Sequence, residues 1–167
     1  PLRIYGLHHC LGRMEKLMVF YKWEDWPNFF PVAFHRRPEK ELAPVLETGE
    51  WRVFSSPVNH LIPTIGLRVE FLESGRVLAY SCDTEPCSQV ARLARGADAL
   101  IHEAAGEARG HSDAAQAAEI ARKAQAKHLY LIHYPTGAFR DDTLVYRAIQ
   151  TFKGPVSLAE DLMEIDF

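Results

Sequence analysis

Five positions in this sequence carry side chains able to hold a metal ion or move a proton, and four of them follow strand-like stretches. His60 ends the run Ser56-Pro57-Val58-Asn59-His60, and Asp83 sits in Tyr80-Ser81-Cys82-Asp83-Thr84. Glu103, with His102 before it, follows the apolar run 99–101, and His133 follows 129–132. The fifth, His111, stands in Gly110-His111-Ser112-Asp113, immediately ahead of a helical pattern. Imidazole nitrogens and carboxylate oxygens on rigid elements are what a zinc or binuclear metal centre requires. Taken singly, each has an ordinary explanation. A strand-end histidine is commonly a hydrogen-bonded structural residue, an Asp before Thr caps a turn, and His111 alone would open a helix. The repetition at successive strand ends is what points to a site, because residues just beyond the strand ends of an open α/β sheet converge on a common rim. No compact local signature such as His-Glu-x-x-His accompanies them.

The elements that must position these residues are legible from periodicity. Residues 51–54, 65–71 and 77–80 are β-branched or aromatic runs, with a hairpin turn at Ser74-Gly75 between the last two. An alternation follows: helix 89–95, strand 99–101, helix 113–123, strand 129–132, helix 142–152 and strand 156–158. Ala114, Ala117, Ala118 and Ala121 make a small-residue stripe suited to close packing on a sheet. Ser112 or Asp113 can cap that helix, and Asp113 with Gln116 approximates a capping box. Upstream, residues 3–5 read as a short strand that breaks at Gly6. Leu11, Met14, Leu17, Met18 and Tyr21 recur at helical spacing, predicting a helix over 11–22 that Pro27 and Pro31 end. Residues 23–50 are punctuated by Pro27, Pro31, Pro38 and Pro44 and hold short edge strands, of which 32–34 is the best candidate. Strand-only and alternating stretches in one chain predict an α/β or α+β fold with a mixed sheet. Repeats, low-complexity tracts and clear linkers are absent.

Composition excludes several classes. The chain has 167 residues, 47% hydrophobic and 25% charged, which is ordinary globular material. No run approaches the ~18 consecutive apolar residues of a membrane-spanning helix. With 22 acidic against 19 basic residues, no excess of positive charge advertises nucleic-acid binding. Three cysteines (Cys10, Cys82 and Cys87) argue against a disulfide framework and for a reducing, cytoplasmic setting.

The sequence resembles the C-terminal half of a metallo-β-lactamase-fold hydrolase of the ribonuclease Z branch. The residues that carry the resemblance are Val58-Asn59-His60-Leu61-Ile62-Pro63-Thr64-Ile65-Gly66 and Arg76-Val77-Leu78-Ala79-Tyr80-Ser81-Cys82-Asp83-Thr84. Ala97-Asp98-Ala99-Leu100-Ile101-His102-Glu103-Ala104, Gly110-His111-Ser112-Asp113-Ala114-Ala115-Gln116-Ala117-Ala118 and Leu131-Ile132-His133 continue it in the same order and spacing. The resemblance implies an αββα sandwich, of which this chain supplies one mixed sheet and its helices. It implies that His60 is a ligand of a first metal, that Asp83 bridges two metals and that His133 is a ligand of the second. It implies zinc as the ion, two in the complete protein, with manganese or iron(II) as alternatives. Two closely spaced dications can clamp both the attacking and the leaving oxygen of a phosphodiester. His111 is then expected to protonate the leaving oxygen, and Glu103 to orient and tune it. His8, His9, His35 and His128 are expected on the surface or in loops, and His102 to pack or hydrogen-bond locally.

The departures shape the expectation. The family's His-x-His-x-Asp-His run, which supplies the remaining ligands, is not among these residues, and the chain opens on Pro1 with its first methionine at Met14. Residues 1–167 are therefore expected to be the C-terminal half of one domain, completed by an N-terminal segment or a second chain. An apolar sheet face left open would demand such a companion or a homodimer. Cys82 stands where the family usually has glycine, either as a passive small side chain or as an extra soft ligand. Ala105 stands where Thr or Ser is common. Residues 23–50 are too short and too acidic to serve as the basic arm with which bacterial ribonuclease Z grips tRNA. Trp23, Trp26, Phe29, Phe30 and Phe34 either line a substrate or dimer surface or simply pack. The leading expectation is a binuclear zinc phosphodiesterase acting on tRNA 3′ ends, other RNA or a related phosphodiester. A thioester or lactone hydrolase on the same fold, or a non-catalytic half-fold interaction module, are the alternatives.

Overall fold

The computed structural model describes residues 1–139 and 141–166, which fall into two compact units, 1–39 and 40–167. The first unit holds two strands, β1 (Leu2–Leu7) and β2 (Val32–Arg37), paired in parallel, with helix α1 (His8–Phe20) between them in sequence. Contrary to the expected break, β1 runs through Gly6, whose missing side chain leaves room for Leu11: a Cβ there would lie 3.3 Å from Leu11 Cδ2. α1 begins directly after β1, three residues before the apolar periodicity starts, because its first turn (His8, His9, Cys10) is polar and largely exposed. Nor do the prolines end it. The helix stops at Phe20, and Lys22 turns the chain away in the left-handed region at φ 49°.

The second unit is a seven-stranded mixed sheet in the sequential order β3 (Ala43–Glu47), β4 (Trp51–Val58), β5 (Thr64–Phe71), β6 (Val77–Tyr80), β7 (Ala99–Glu103), β8 (His128–Ile132) and β9 (Val156–Leu158). β3 to β6 are an antiparallel meander, and β6 to β9 are parallel, joined by helices α2 (Ser88–Leu93), α3 (Ala114–Ala124) and α4 (Leu144–Thr151). Switching from hairpin turns to helical crossovers is what parallel pairing demands. β3 is one of the short edge strands expected in the proline-punctuated region, although not the stretch singled out there. It lies at the sheet edge with its register shifted between Pro44 and Leu46, which is where a strand tolerates a proline.

The three helices share one face of the sheet. Ala79, Leu100, Leu129 and Leu131 meet Val90, Ala117, Ala118, Ala121 and Ala148 there in one buried cluster. Asp113 caps α3, its carboxylate accepting from the Gln116 N–H while the Gln116 side chain accepts from the Asp113 N–H, so the expected capping box is present. Strand alternation turns Ile65, Leu67, Val69, Leu78, Tyr80 and Ile101 to the opposite face, where they remain half-buried. Among the described residues, no helix is long and apolar enough to cross a membrane.

Candidate metal centre

β4, β6, β7 and β8 all point the same way, so residues that follow their C-terminal ends share one rim of the sheet. His60 comes two residues after β4, Asp83 three after β6, Glu103 closes β7 and His133 follows β8 at once. His111 reaches the same rim from the loop between β7 and α3. All five expected residues thus converge, although up to 73 positions separate them in sequence.

Asp83, His111 and His133 each offer a ligand atom within 4.8 Å of the others, all half-buried or exposed and so open to a ligand. His133 Nδ1 lies 3.1 Å from Asp83 Oδ1. The His111 ring stands edge-on to both other imidazoles, its centroid 5.1 Å from that of His60 and 5.4 Å from that of His133. His60 lies outside the tight triad and next to His111. The donor set suits a divalent ion: imidazole nitrogens beside a carboxylate, with a neighbouring histidine whose Nδ1 meets the Gly110 carbonyl at 2.7 Å. A carbonyl can only accept, so that Nδ1 carries a hydrogen and Nε2 is the nitrogen left for a metal.

Glu103 does not line the opening. It is fully buried, and its carboxylate accepts from the Thr84 N–H at 2.7 Å, the His111 Nδ1–H at 3.0 Å and the Ala105 N–H at 3.1 Å. Three donors satisfy buried polar oxygens that would otherwise be costly. The imidazole it anchors is left with Nε2 free toward the rim. This is the arrangement expected of an oriented proton donor, and the position of His111 beside Asp83 and His133 also fits a ligand.

Backbone conformation at the site is unusual. Both Cys82 (φ 56°) and His133 (φ 54°) occupy the left-handed region, which non-glycine residues rarely adopt outside functional turns. The twist at Cys82 gives a physical reason for glycine at this place in the resembling family. Tyr80, just upstream, has its phenol pushed up to about 12, first by burial and then by Cys82, with Asp83 and Glu103 adding to it. It therefore stays a neutral hydrogen-bonding group at any physiological pH.

Thr84 and Ser112 were not foreseen as site residues. Thr84 is fully buried: its N–H serves Glu103, its hydroxyl accepts from the Asn59 N–H at 3.1 Å, and its carbonyl accepts from the Ser112 hydroxyl at 2.6 Å. It ties together the loops carrying His60, Asp83, Glu103 and His111. Ser112 is thus a staple, and the cap of α3 is Asp113. Position directly after Asp83 was the only signal for Thr84, and a Thr after Asp reads as a turn.

The remaining histidines are placed differently from one another. His8 is exposed at the start of α1, and His9 bonds with Cys10 Sγ at 3.3 Å and faces Glu39. His35 and His128 are not in loops. His35 lies in β2 stacked on Tyr5 at 4.7 Å, and His128 lies in β8 stacked on Tyr130 at 4.0 Å, with Nε2 3.0 Å from the Ser157 hydroxyl. Both sit on strands because a half-buried imidazole stacks well on a cross-strand or same-face aromatic ring. His102 is fully buried, bonded through Nδ1 to the Glu103 carbonyl at 2.8 Å, and burial depresses its pKa. It packs locally, as expected. The cysteines are free, Cys10 exposed, Cys82 half-buried and Cys87 buried.

Comparisons with known proteins bear on the family and the fold. Residues 16–134 match the family model described as a beta-lactamase superfamily domain. The chain is 43% identical over 101 residues to ribonuclease Z of Methanothermobacter thermautotrophicus, covering 55% of this chain and 32% of that protein. It is 33% identical over 147 residues to ribonuclease Z of Porphyromonas gingivalis, covering 83% of this chain and 47% of that one. The chain thus spans half or less of the length of these relatives. Among solved structures, it resembles the metallo-beta-lactamase fold protein YhfI of Bacillus subtilis (TM-score 0.74, 22% identity, 95% of this chain and 62% of that one). It also resembles human tRNase Z, short form (TM-score 0.73, 22% identity, 99% and 68%). The family match spans most of the chain, and the chain belongs to the beta-lactamase superfamily domain family.

Proposed function

We propose that this chain carries part of the active site of a metal-dependent phosphodiester hydrolase of the ribonuclease Z type. The observation that supports it most is the His111–Glu103 pair, an imidazole fixed by a buried carboxylate and set beside Asp83 and His133. Asp83 and His133, with His60 next to them, are the proposed metal ligands. Zinc is the proposed ion, two in the complete protein, with manganese or iron(II) able to substitute at nitrogen–oxygen donor sets of this kind. When bound, such ions supply Lewis-acid stabilisation of charge on the phosphoryl oxygens. His111, anchored through Nδ1, offers Nε2 for proton transfer to the leaving oxygen, and Glu103 holds it in place.

The relatives' name suggests RNA, in particular tRNA 3′ ends, as the substrate. A small phosphodiester is the second reading, and one feature favours it. A hollow of about 510 Å³ beside His133 is lined by Tyr134, Thr136, Glu160 and Asp161, and the two carboxylates would repel a second phosphate next to the reacting one. Further parts of the proposal concern context. The remaining ligands come from an N-terminal segment or a second chain packing on the half-buried face of Ile65, Leu67, Val69, Leu78 and Ile101. Residues 1–167 are the C-terminal half of that larger domain, the working form is a homodimer, and the setting is the reducing cytoplasm.

The test is metal content and turnover of the full-length protein. Asp83→Ala and His133→Ala each lose bound zinc and lower phosphodiesterase activity about a thousandfold, which is ~4 kcal/mol of transition-state stabilisation. Unchanged metal content in both variants would refute the ligand assignment. Turnover of a tRNA precursor against a simple diaryl phosphodiester separates the two substrate readings.

A further inference from the structure

Residues outside the set already described control how His60 is presented. The carbonyl that receives the His60 Nδ1–H belongs to Gly110, and the Gly110 N–H donates to Glu85 Oε1 at 2.9 Å. Gly110 sits at φ 85°, and a Cβ there would lie 3.0 Å from His60 Nδ1 and 2.9 Å from Leu61 Cγ, so the imidazole packs directly on this backbone. Glu85 is itself held, its N–H donating at 2.7 Å to the carbonyl of Asn59, the residue before His60. The contacts close a ring: Asn59 to His60, His60 to Gly110, Gly110 to Glu85, Glu85 back to Asn59. The same Gly110 immediately precedes His111.

Resting on the metal-hydrolase reading above, we infer that Glu85 is a positioning residue: by fixing Gly110 it holds His60 as the Nδ1–H tautomer whose Nε2 binds metal. A ligand histidine owes its tautomer and ring orientation to whatever its other nitrogen meets. Here that partner is a backbone carbonyl on a glycine held from both sides: the His111 N–H, in the same peptide plane as that carbonyl, donates to the Ala108 carbonyl at 3.0 Å, and the glycine's own N–H donates to Glu85. Glu85 is the side-chain clamp of the two, and its carboxylate reaches the glycine from 25 residues away in sequence.

The experiment uses the zinc-loaded full-length protein. In the wild type, long-range proton–nitrogen correlation spectra show His60 with Nδ1 protonated and Nε2 bound to metal; the opposite assignment overturns the inference without any variant. Glu85→Ala weakens zinc binding about tenfold or more in chelator competition, the range for losing an outer partner of a metal ligand. Glu85→Gln, whose amide oxygen still accepts from the Gly110 N–H, retains most of the wild-type affinity. A Glu85→Gln protein as weak as Glu85→Ala overturns the inference. So does a Glu85→Ala protein that binds zinc as tightly as the wild type while Asp83→Ala does not, and in that case the metal-centre reading stands. Full zinc retention in Asp83→Ala and His133→Ala sinks both together.

Discussion

Beneath α2, α3 and α4 the sheet meets a surface made almost wholly of methyl and methylene groups, whereas its C-terminal rim is held by a mesh of hydrogen bonds. The helix side is stripes of alanine and leucine with side chains at or near zero exposure, and it tolerates no unpaired charge. The rim places Glu103, Thr84, Ser81, Ser112 and His102 in equally buried surroundings, but nearly every polar atom there has a partner. One region resists change in volume, the other resists change in hydrogen-bond geometry. The difference separates stability from chemistry, since interior packing is sensitive to single methylenes and polar networks to single donors.

That separation can be tested by perturbing each side in turn. His111→Ala is expected to depress turnover by a factor of about 100–10,000, the usual worth of a general acid, with zinc content intact. Simultaneous loss of metal in that variant would make His111 a ligand, as its distance to Asp83 and His133 allows. On the helix side, Ala118→Leu overfills the α3 contact and should destabilise by about 1–3 kcal/mol in urea unfolding, while zinc stoichiometry stays as in the wild type. A metal loss there would show that the two regions are mechanically coupled.

Cys82→Gly is a smaller change at the rim. Removing a side chain from a left-handed position should shift stability by no more than about 1 kcal/mol and leave metal content unaltered. If zinc is lost, the thiol is a ligand and not a passive side chain. The smallest effect concerns pH. Burial alone would raise the Asp98 carboxyl, but the Lys127 ammonium at 2.7 Å and the Val77 N–H at 2.8 Å outweigh it, holding Asp98 below the ordinary carboxylate value. A depressed folded-state pKa stabilises in full above the unfolded value of ~3.9 and is lost as pH falls through the lower folded value. The urea midpoint of Asp98→Asn should therefore approach that of the wild type as pH drops below about 4, and a gap that persists there would remove the ionic contribution.

Much of the second unit was legible because its signals are local. β-branched runs, the Ser74-Gly75 turn, the alanine stripe and the Asp113–Gln116 box each need only neighbouring residues to specify them, and each element was found in place. Boundaries were less legible. β1 passes through Gly6 because Leu11 fills the space the missing side chain leaves, and a contact five residues away is not written in strand propensity. Short edge strands were legible among the prolines, but the place of β3 was not, since a proline such as Pro44 argues against a strand unless that strand lies at an edge, and edge position belongs to the whole sheet.

The same division holds for the site. Sequence by itself put His60, Asp83, Glu103 and His133 behind strands, and parallel strands must bring such residues to one rim. It could not show that Glu103 would be buried under three donors while Asp83 and His133 stayed open, nor that His111 would stand beside those two. Thr84 and Glu85 acquired their roles only when loops 25 or more residues apart met around them. Periodicity and strand direction act along the chain and can be read from it. Burial, hydrogen-bond partners and the tautomer of an imidazole depend on what lies across space, and only the folded chain decides them.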